Sequence, residues 1–471
     1  MNTHKTLLAA LLVPLGATLA IVPAASAATP PAPSTASVSA DAAVPAGPEE
    51  AAAAVFRSPE AALGRVAHPL RTTEPRGGLA DLRPFGRMVG DARVVGLGEA
   101  THSSHEFFTV KHRILRYLVG EKGFRAFALE APWSTGLRLD AYLLRGEGDL
   151  KQIMDEEFQG AYRWWNNAEY RDLLRWMRAY NVKHPKDPVH FVGDDGGFAG
   201  AELYDKVSAY AATARPELPP RLTELYRGLR PATDAETYVN DYLSKPMAER
   251  KELAERTGRA VDLLNKRRPG TGAGADAHAW AVQHATAIHQ MTTLYAFDWD
   301  DPEGISDALL YRDRIMAENV TWWQQRTGDK IVLAAHNSHI ALRTYAPATY
   351  PKVQGEFLRE RLGGGYLSVG LTFDQGSFNA FGPDGGAHRF TVGPAAPGTA
   401  EHTLDRVRYR DFMVDLRNAP APARAWLAMP RTVKNIGATY PGIADAPQIR
   451  LAQSHDVVIH LQRVEAAHML K

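Results

Sequence analysis

Short apolar runs alternate with longer amphipathic stretches in the first half of the chain. Residues 93–98 predict a buried strand that ends in glycine, and the apolar spacing over residues 107–119 predicts a helix after it. Two further strands are predicted at residues 124–129 and 189–193, with a helix over residues 169–182 between them. This strand–helix–strand order is typical of parallel strands that are covered by helices.

The pattern changes between about residues 201 and 299. Helical periodicity dominates there and prolines interrupt it, so we predict a helical insertion or lid. Strand signals return at residues 330–335, 366–373, 412–416 and 457–461. The predicted fold class is therefore α/β, with a central mixed, mostly parallel sheet covered by helices and a large helical insertion.

The N-terminal segment has the layout of an export signal. Lys5 precedes an apolar run over residues 7–22, and Ala25-Ser26-Ala27 supplies small residues for a signal peptidase. The run is shorter than the ~20 residues that a membrane-spanning helix needs, which disfavours a retained anchor. We predict a signal peptide over residues 1–27 and a secreted protein.

The next segment, residues 28–54, is rich in alanine and proline and nearly devoid of large apolar residues. Such a composition cannot bury enough surface to fold, so we predict a disordered leader. Residues 55–471 are then predicted to form the catalytic domain. They are long for one domain, but they can hold a large core.

Charge and cysteine content narrow the classes of function. The chain has no Cys, which excludes thiol nucleophiles and Cys-ligated metals. Its formal net charge is +1, so no electrostatic signal indicates nucleic acid or an anionic membrane as a partner. The sequence leaves the oligomeric state open.

Ionisable residues follow four of the predicted strands. They are Glu99 and His102 after the first strand, Glu130 after the second, Asp194 and Asp195 after the third, and His336 and His339 after the fourth. The carboxyl ends of parallel strands share one edge of a sheet, where α/β proteins bind their ligands. A neutral imidazole there can take a proton from an attacking water, and a neighbouring carboxylate can fix its tautomer.

Each residue also has a structural interpretation. Glu99 could cap the following helix, and a single histidine is more often structural than catalytic. Asp194 or Asp195 could be a turn residue, because Gly196 and Gly197 follow. The prediction therefore depends on the whole set rather than on any one member.

Several common catalytic motifs are missing. His105-Glu106 begins like the zinc motif H-E-x-x-H, but Thr109 stands where the second histidine belongs. Neither Ser338 nor Ser377 lies in a G-x-S-x-G sequence, which disfavours a serine hydrolase of the usual α/β type. No P-loop and no G-x-G-x-x-G is present either, which removes the simplest nucleotide-binding functions.

At this point the chain resembles a known family. Residues 95–102, read Val-Gly-Leu-Gly-Glu-Ala-Thr-His, together with Glu106 and Lys111, resemble the opening motif of the erythromycin esterase-like family. Arg312-Asp313 resembles the helix before the double-histidine strand, and the run His-Asn-Ser-His-Ile over residues 336–340 is the most specific match. The resemblance extends from about residue 79 to the C-terminus.

The resemblance implies a hydrolase of carboxylic esters that acts, in named members, on the macrolactone of macrolide antibiotics and so confers resistance. It implies water attack assisted by His102 as the base, without a covalent serine intermediate and without a cofactor. It places Glu99, Glu130, His336 and His339 beside that base, and Glu106, Lys111, Asp195 and Arg312 at the substrate. The expected partner is a small-molecule ester or macrolactone.

One departure from the family concerns Lys111. Resistance-type members carry an arginine at this place, and an ammonium group cannot reproduce the two-pronged donation of a guanidinium. Export is a second departure, because an enzyme that protects ribosomes is expected in the cytoplasm. Both departures weaken the expectation of a macrolide substrate more than that of hydrolysis.

Two other functions stay open at this stage. Three histidines and two glutamates would suffice to bind zinc, so a metal-dependent hydrolase with the same residues is one alternative. A non-catalytic protein that holds an apolar ligand under the helical lid is the other. Five tryptophans could line such a pocket, although they are more often core residues: Trp133, Trp164, Trp165, Trp322 and Trp323.

Overall fold

The computed structural model describes residues 58–266, 271–440 and 446–471. The predicted signal peptide and leader, residues 1–27 and 28–54, lie outside the described residues, so both stay predictions. No helix among the described residues has the length and apolarity to cross a bilayer.

Eleven strands are found in the described part of the chain. They are β1 (His68–Pro69), β2 (Val94–Leu97), β3 (Phe124–Pro132), β4 (His190–Asp195), β5 (Lys330–Ala334), β6 (Tyr366–Phe381), β7 (Ala387–Val392), β8 (Phe412–Asp415), β9 (Arg431–Thr432), β10 (Gln448–Ile449) and β11 (Val457–Val464).

Nine of these strands form one sheet in the order β1-β8-β11-β6-β2-β5-β3-β4, with β7 paired to β6. The six strands from β11 to β4 pair in parallel. In this sheet the antiparallel pairs of the described residues lie beside them, where β1 meets β8, β8 meets β11 and β7 meets β6, and β9 and β10 form a separate antiparallel pair. The sheet is therefore mixed and mostly parallel, which confirms the predicted class.

The helices precede, link and cover these strands. The first part of the chain contains α1 (Pro59–Val66), α2 (Arg83–Val89), α3 (His105–Lys122), α4 (Trp133–Arg145), α5 (Leu150–Glu157) and α6 (Ala168–Lys183). The middle contains α7 (Ala201–Ala214), α8 (Pro219–Leu225), α9 (Ala235–Leu243), α10 (Met247–Asn265), α11 (Ala273–Leu294) and α12 (Pro302–Thr327). The last part contains α13 (Asn337–Ile340), α14 (Gln354–Leu362), α15 (Ala400–Leu404), α16 (Ala421–Leu427) and α17 (Leu451–Ser454).

The two faces of the sheet bury separate cores. In β3, Phe127 and Leu129 belong to one core, whereas Ala126 and Ala128 belong to the other. Alternate side chains of a strand point to opposite faces, so a strand buried on both sides is apolar throughout. The helices of the middle segment supply much of the second core, so they cover this face of the sheet.

The tryptophans of the middle segment are packing residues. Trp133 on α4 makes edge-to-face contacts with Trp322 and Trp323 on α12, at centroid distances of 5.6 and 6.2 Å. Trp280 on α11 completes the cluster. This arrangement fixes α4, α11 and α12 against one another.

Candidate active site

The predicted residues meet at the carboxyl edge of four neighbouring strands. Strands β2, β5, β3 and β4 lie side by side in parallel, so their C-terminal ends face the same way. Glu99 and His102 follow β2, and His336 and His339 follow β5. Glu130 lies near the end of β3. The sheet therefore brings together groups that are more than 200 residues apart in sequence.

His102 is held by a buried carboxylate. Its Nδ1 lies 2.9 Å from Oε1 of Glu99, and both residues are almost fully buried. The other oxygen of Glu99 accepts a hydrogen bond from Nζ of Lys111 on α3. Burial lowers the pKa of Lys111, while the charge of Glu99 opposes this change. The pairing makes Glu99 a fixed hydrogen-bond acceptor for the imidazole.

Two rings flank His102. The His336 ring lies 4.9 Å from it and the Trp165 ring lies 5.3 Å from it, measured between centroids. Trp165 ends a short 3-10 helix, Gly160–Trp165, that lies between α5 and α6. The indole covers the imidazole, so little water reaches His102, and electrostatic interactions are stronger there than in bulk water.

The local backbone fixes the tautomer of His336. This residue is the N-cap of α13, and its Nδ1 accepts a hydrogen bond of 3.3 Å from the backbone N–H of Ser338. Burial and the neighbouring His102 lower the pKa of His336 well below its usual value, so the ring is neutral. A neutral imidazole that accepts at Nδ1 carries its proton on Nε2. That Nε2 is buried and makes no hydrogen bond of good geometry among the described residues, although the Ile436 backbone lies near enough to this ring to oppose the lowering of its pKa.

His339 has a different environment. Its Nδ1 lies 2.8 Å from Oδ1 of Asp313 on α12, and its Nε2 lies 3.3 Å from Oε1 of Glu130. Burial opposes a charge on this ring, but the two carboxylates outweigh it and raise the pKa of His339 to about 10. These carboxylates favour the imidazolium form of His339, whose Nδ1 faces Asp313 and whose Nε2 lies 3.3 Å from both Glu130 Oε1 and Nη1 of Arg312.

Glu130 links the two histidines. Burial alone would raise the pKa of Glu130, but His339, His102 and Arg312 together hold it well below its usual range. One carboxylate oxygen accepts from Nη2 of Arg312 at 3.0 Å, and the other accepts from the backbone N–H of His336 at 3.1 Å. This second bond places the loop that carries His336.

Arg312 connects this group to β4. Its guanidinium donates to both oxygens of Asp195, with distances of 2.6 to 3.2 Å, while Tyr162 donates to the same carboxylate at 2.8 Å. The planar fork of arginine suits such multiple donation to buried carboxylates. All of these groups are buried, so the network positions Glu130 and His339.

Asp194 has the opposite electrostatic character. Burial raises the pKa of Asp194 well above its usual value, with the charge of Asp195 acting in the same direction. One of its oxygens accepts from Nε2 of Gln354 at 2.7 Å, and the other has no partner among the described residues. A neutral Asp194 beside an ionised network agrees with its interpretation as a structural residue.

Asn337 explains the glycine before Glu99. Its side chain donates to the Leu371 carbonyl at 2.8 Å and accepts from the Leu371 N–H at 3.0 Å, while its own N–H donates to the carbonyl of Glu99. A Cβ atom at Gly98 would collide with the Asn337 side-chain oxygen. The Gly98-Glu99 pair and the Asn337 side chain are thus one structural unit that joins β2, β5 and β6.

The structure groups most, but not all, of the predicted residues. His102, Glu99, Glu130, His336 and His339 form one cluster, with Lys111, Arg312 and Asp195 around it. Glu106 is outside this cluster, because its carboxylate accepts from the backbone N–H of Glu465 at 2.7 Å. Lys111 and Arg312 are ion-paired inside the protein. A substrate-binding role for Glu106, Lys111, Arg312 and Asp195 therefore stays a prediction.

Sequence reasoning did not assign a role to Asp313, and it considered Trp165 only as a pocket-lining or core residue. Asp313 holds the ring of His339, and its other oxygen accepts from the Tyr350 hydroxyl. Its position next to Arg312 on one helix was a usable signal, because consecutive ionisable residues on a buried helix need partners. Nothing in the sequence around Trp165 pointed to a contact with His102.

Most histidine nitrogens of the cluster are already hydrogen-bonded to its carboxylates. His339 directs both nitrogens to carboxylates, and His102 directs one nitrogen to Glu99. A metal ion in this cluster would have to replace these hydrogen bonds. A metal-dependent hydrolase is still an alternative, and it predicts that activity disappears on chelation.

Comparison with known proteins places the chain in a family. Residues 119–464 match the family model described as erythromycin esterase. An erythromycin esterase type II of Escherichia coli is 25% identical over 343 residues, which cover 67% of this chain and 77% of the relative.

Solved structures agree with this result. A Bacillus cereus protein has a TM-score of 0.79 and 31% identity, covering 87% of this chain and 98% of its own. An erythromycin esterase mutant in its open conformation has a TM-score of 0.69, with 86% of this chain and 99% of its own chain covered. Its identity of 18% supports the shared fold alone. The chain therefore belongs to the erythromycin esterase family, and this membership supports a hydrolase.

Proposed function

We propose that this protein hydrolyses a carboxylic ester or lactone by direct attack of water, with His102 as the general base. The observation that carries the proposal is the buried Glu99–His102 hydrogen bond of 2.9 Å, next to a second imidazole 4.9 Å away. A base oriented by a carboxylate, with a hydrogen-bond donor beside it, is the arrangement that acyl transfer requires.

In the first step His102 activates the water. The hydrogen bond to Glu99 uses Nδ1, which leaves the lone pair of Nε2 to accept a proton. As that proton moves to Nε2, the water oxygen forms a bond to the carbonyl carbon and the carbonyl oxygen becomes an oxyanion. The charge of Glu99 stabilises the imidazolium that results.

His336 stabilises the oxyanion in this proposal. Its Nε2–H is a buried donor that makes no well-formed hydrogen bond among the described residues, so it is available to donate to a substrate oxygen. The intermediate then collapses, the bond to the leaving oxygen breaks, and His102 returns the proton to that oxygen. In this proposal Glu130, held by His339 and Arg312, positions His336 through the backbone N–H of that residue. None of the three transfers a proton.

A serine nucleophile has weak support. Oγ of Ser338 lies 2.8 Å from Nδ1 of His336, which is the contact that a Ser–His dyad would use. However, His336 is a poor base, because its burial and the neighbouring His102 hold its pKa far below neutrality. His102 is better suited than His336 to act as the base, because it is hydrogen-bonded to the carboxylate of Glu99.

The test is a panel of simple acyl esters and macrolactones of different ring size, assayed with His102→Asn and His336→Gln. We expect kcat to fall by about 10²–10⁴ in the first variant and by about 10²–10³ in the second. His388→Asn is the matched control, because this exposed histidine also pairs with a carboxylate, Asp384, at 2.9 Å. It should retain the wild-type rate.

Each alternative predicts a different result. Full turnover by His102→Asn, or no turnover of any ester or lactone by the wild type, overturns the proposal. A burst phase with a trapped acyl-enzyme on Ser338 favours the serine route instead. Activity that disappears on chelation and returns with zinc favours a metal-dependent hydrolase. Ligand binding without turnover favours a binding protein.

The substrate is proposed to be an ester outside the cell. The name of the E. coli relative makes a macrolactone one candidate. However, Lys111 pairs with Glu99 and the chain begins with an export-type segment, so other extracellular esters belong in the panel. Mass measurement of the exported protein tests secretion, and a mature chain that begins at Ala28 is the expected result.

A further inference from the structure

A second group of histidines and carboxylates lies outside the candidate active site. Nδ1 of His105 lies 2.6 Å from Oε1 of Glu169, and Nδ1 of His468 lies 2.7 Å from the same oxygen. One ligand atom from each of the three residues lies within 4.8 Å of the other two. His105 begins α3, Glu169 lies in the first turn of α6, and His468 lies in the C-terminal tail after β11.

We propose that His105, Glu169 and His468 bind a divalent transition-metal ion, with Zn²⁺ as the best match. Two imidazoles, one carboxylate and a water are an established tetrahedral ligand set for zinc, with Zn–N and Zn–O distances of about 2.0–2.2 Å. Tetrahedral ligand atoms at these distances are about 3.4 Å apart. The observed nitrogen–oxygen separations of 2.6 and 2.7 Å therefore need to open by less than about 1 Å.

A fourth residue orients the first ligand. Oε1 of Glu74 lies 3.0 Å from Nε2 of His105, the nitrogen that faces away from Glu169. Metal-bound histidines nearly always donate their second N–H to a carboxylate, a carbonyl or water in this way.

Backbone hydrogen bonds hold the ligands in place. The N–H of His105 donates to the Glu465 carbonyl at 2.7 Å, and the N–H of Ala168 donates to the His468 carbonyl at 2.8 Å. The N–H of His468 donates to the carboxylate of Glu169 at 3.2 and 3.3 Å. His468 is therefore fixed through its backbone although its side chain is 70% exposed.

Such an ion would fasten the C-terminal tail to the edge of the candidate active site. The tail already bonds to the loop that carries His102, through the Ala467 N–H and the Ser103 carbonyl at 3.2 Å. The tail also forms a hydrogen bond to the residue after Trp165, whose indole covers His102. There the Leu470 N–H donates to the Asn166 carbonyl at 2.9 Å. The expected role of the ion is to stabilise this attachment, separately from the hydrolytic step.

The test uses the full chain after dialysis against a chelator. Zn²⁺ titration calorimetry should give one equivalent of binding, and Co²⁺ should give the visible bands of a tetrahedral site. His468→Gln should weaken binding by at least about thirtyfold and abolish the zinc-dependent rise in Tm, since a direct ligand is lost. Glu74→Gln keeps all three ligands and should weaken binding by about tenfold.

Folding of the variants does not obscure the result. Glutamine at 468 can still donate to Glu169, and residue 468 is exposed, so metal-free His468→Gln should unfold within a few degrees of the wild type. His388→Gln is the control, since His388 is an exposed histidine with a carboxylate partner elsewhere on the surface. No saturable binding at millimolar Zn²⁺, or equal binding by His468→Gln and the wild type, overturns the proposal.

Discussion

Replacing Glu99 with glutamine separates a catalytic role from a structural one. In the folded protein this carboxylate holds Nδ1–H of His102 and also pairs with the ammonium of Lys111, and all three residues are at most 2% exposed. Glu99→Gln keeps the shape of the side chain but removes its charge. The imidazole then loses the partner that fixes its tautomer, and Lys111 loses its counter-ion.

The two losses have different magnitudes. In a Ser-His-Asp triad, the corresponding amide substitution lowers kcat by about 10⁴, so we expect a loss of about 10²–10⁴ here. Removing one partner of a buried ion pair destabilises a protein by about 3–5 kcal/mol. The double variant Glu99→Gln with Lys111→Met removes both charges, and hydrophobic replacement of a whole buried pair is often close to neutral.

Urea unfolding and steady-state kinetics on the same samples distinguish the roles. We expect the double variant to regain most of the lost stability and none of the lost activity. Asp187→Asn is the matched control, because it removes an exposed carboxylate partner of Arg125 and should cost less than about 1 kcal/mol. If the double variant regains activity together with stability, Glu99 acts only as a structural residue and the reasoning is wrong.

Two further predictions concern the network behind the histidines. The raised pKa of His339, about 10 against 6.5 in the unfolded chain, contributes stability that is complete below pH 6.5 and is lost as pH rises towards 10. The urea midpoint should therefore fall between pH 7 and pH 9.5, and an equal fall in His339→Asn would contradict this origin. Arg312→Met leaves the buried carboxylate of Asp195 without its cation and removes one of the two cations beside Glu130, so it should destabilise the protein by about 3–5 kcal/mol. An unchanged urea midpoint in Arg312→Met would show that the ion pairs of Arg312 do not contribute to the free energy of unfolding.

Periodicity located the strands that matter for the site. The apolar runs ending near Gly98, Leu129, Gly193 and Ala335 became β2, β3, β4 and β5, because a strand buried on both faces must be apolar at every position. The parallel topology then followed from the intervening helices. For this reason the sequence predicted that their C-terminal ends would share an edge, and that Glu99, Glu130 and His336 would meet there.

The orientation of individual side chains could not be predicted in the same way. Glu106 and Lys111 belong to the same helix and the same motif, yet one bonds to the backbone of Glu465 and the other to the carboxylate of Glu99. The partners are far away in sequence, so no local spacing encodes them. The contacts that bring His105 and His468 to Glu169 could not be predicted for the same reason.

The class of fold, the strand ends and the kinds of ionisable group placed there could be predicted from the amino-acid sequence, because they depend on local patterns of burial and on turn residues. Contacts between distant segments give His336 a lowered pKa and His339 a raised pKa, although the two residues are three positions apart in one motif. The physical reason is that a pKa in a buried site depends on which charges lie within a few ångströms. For His339 those charges include Asp313 and Glu130, which reach it from another helix and another strand.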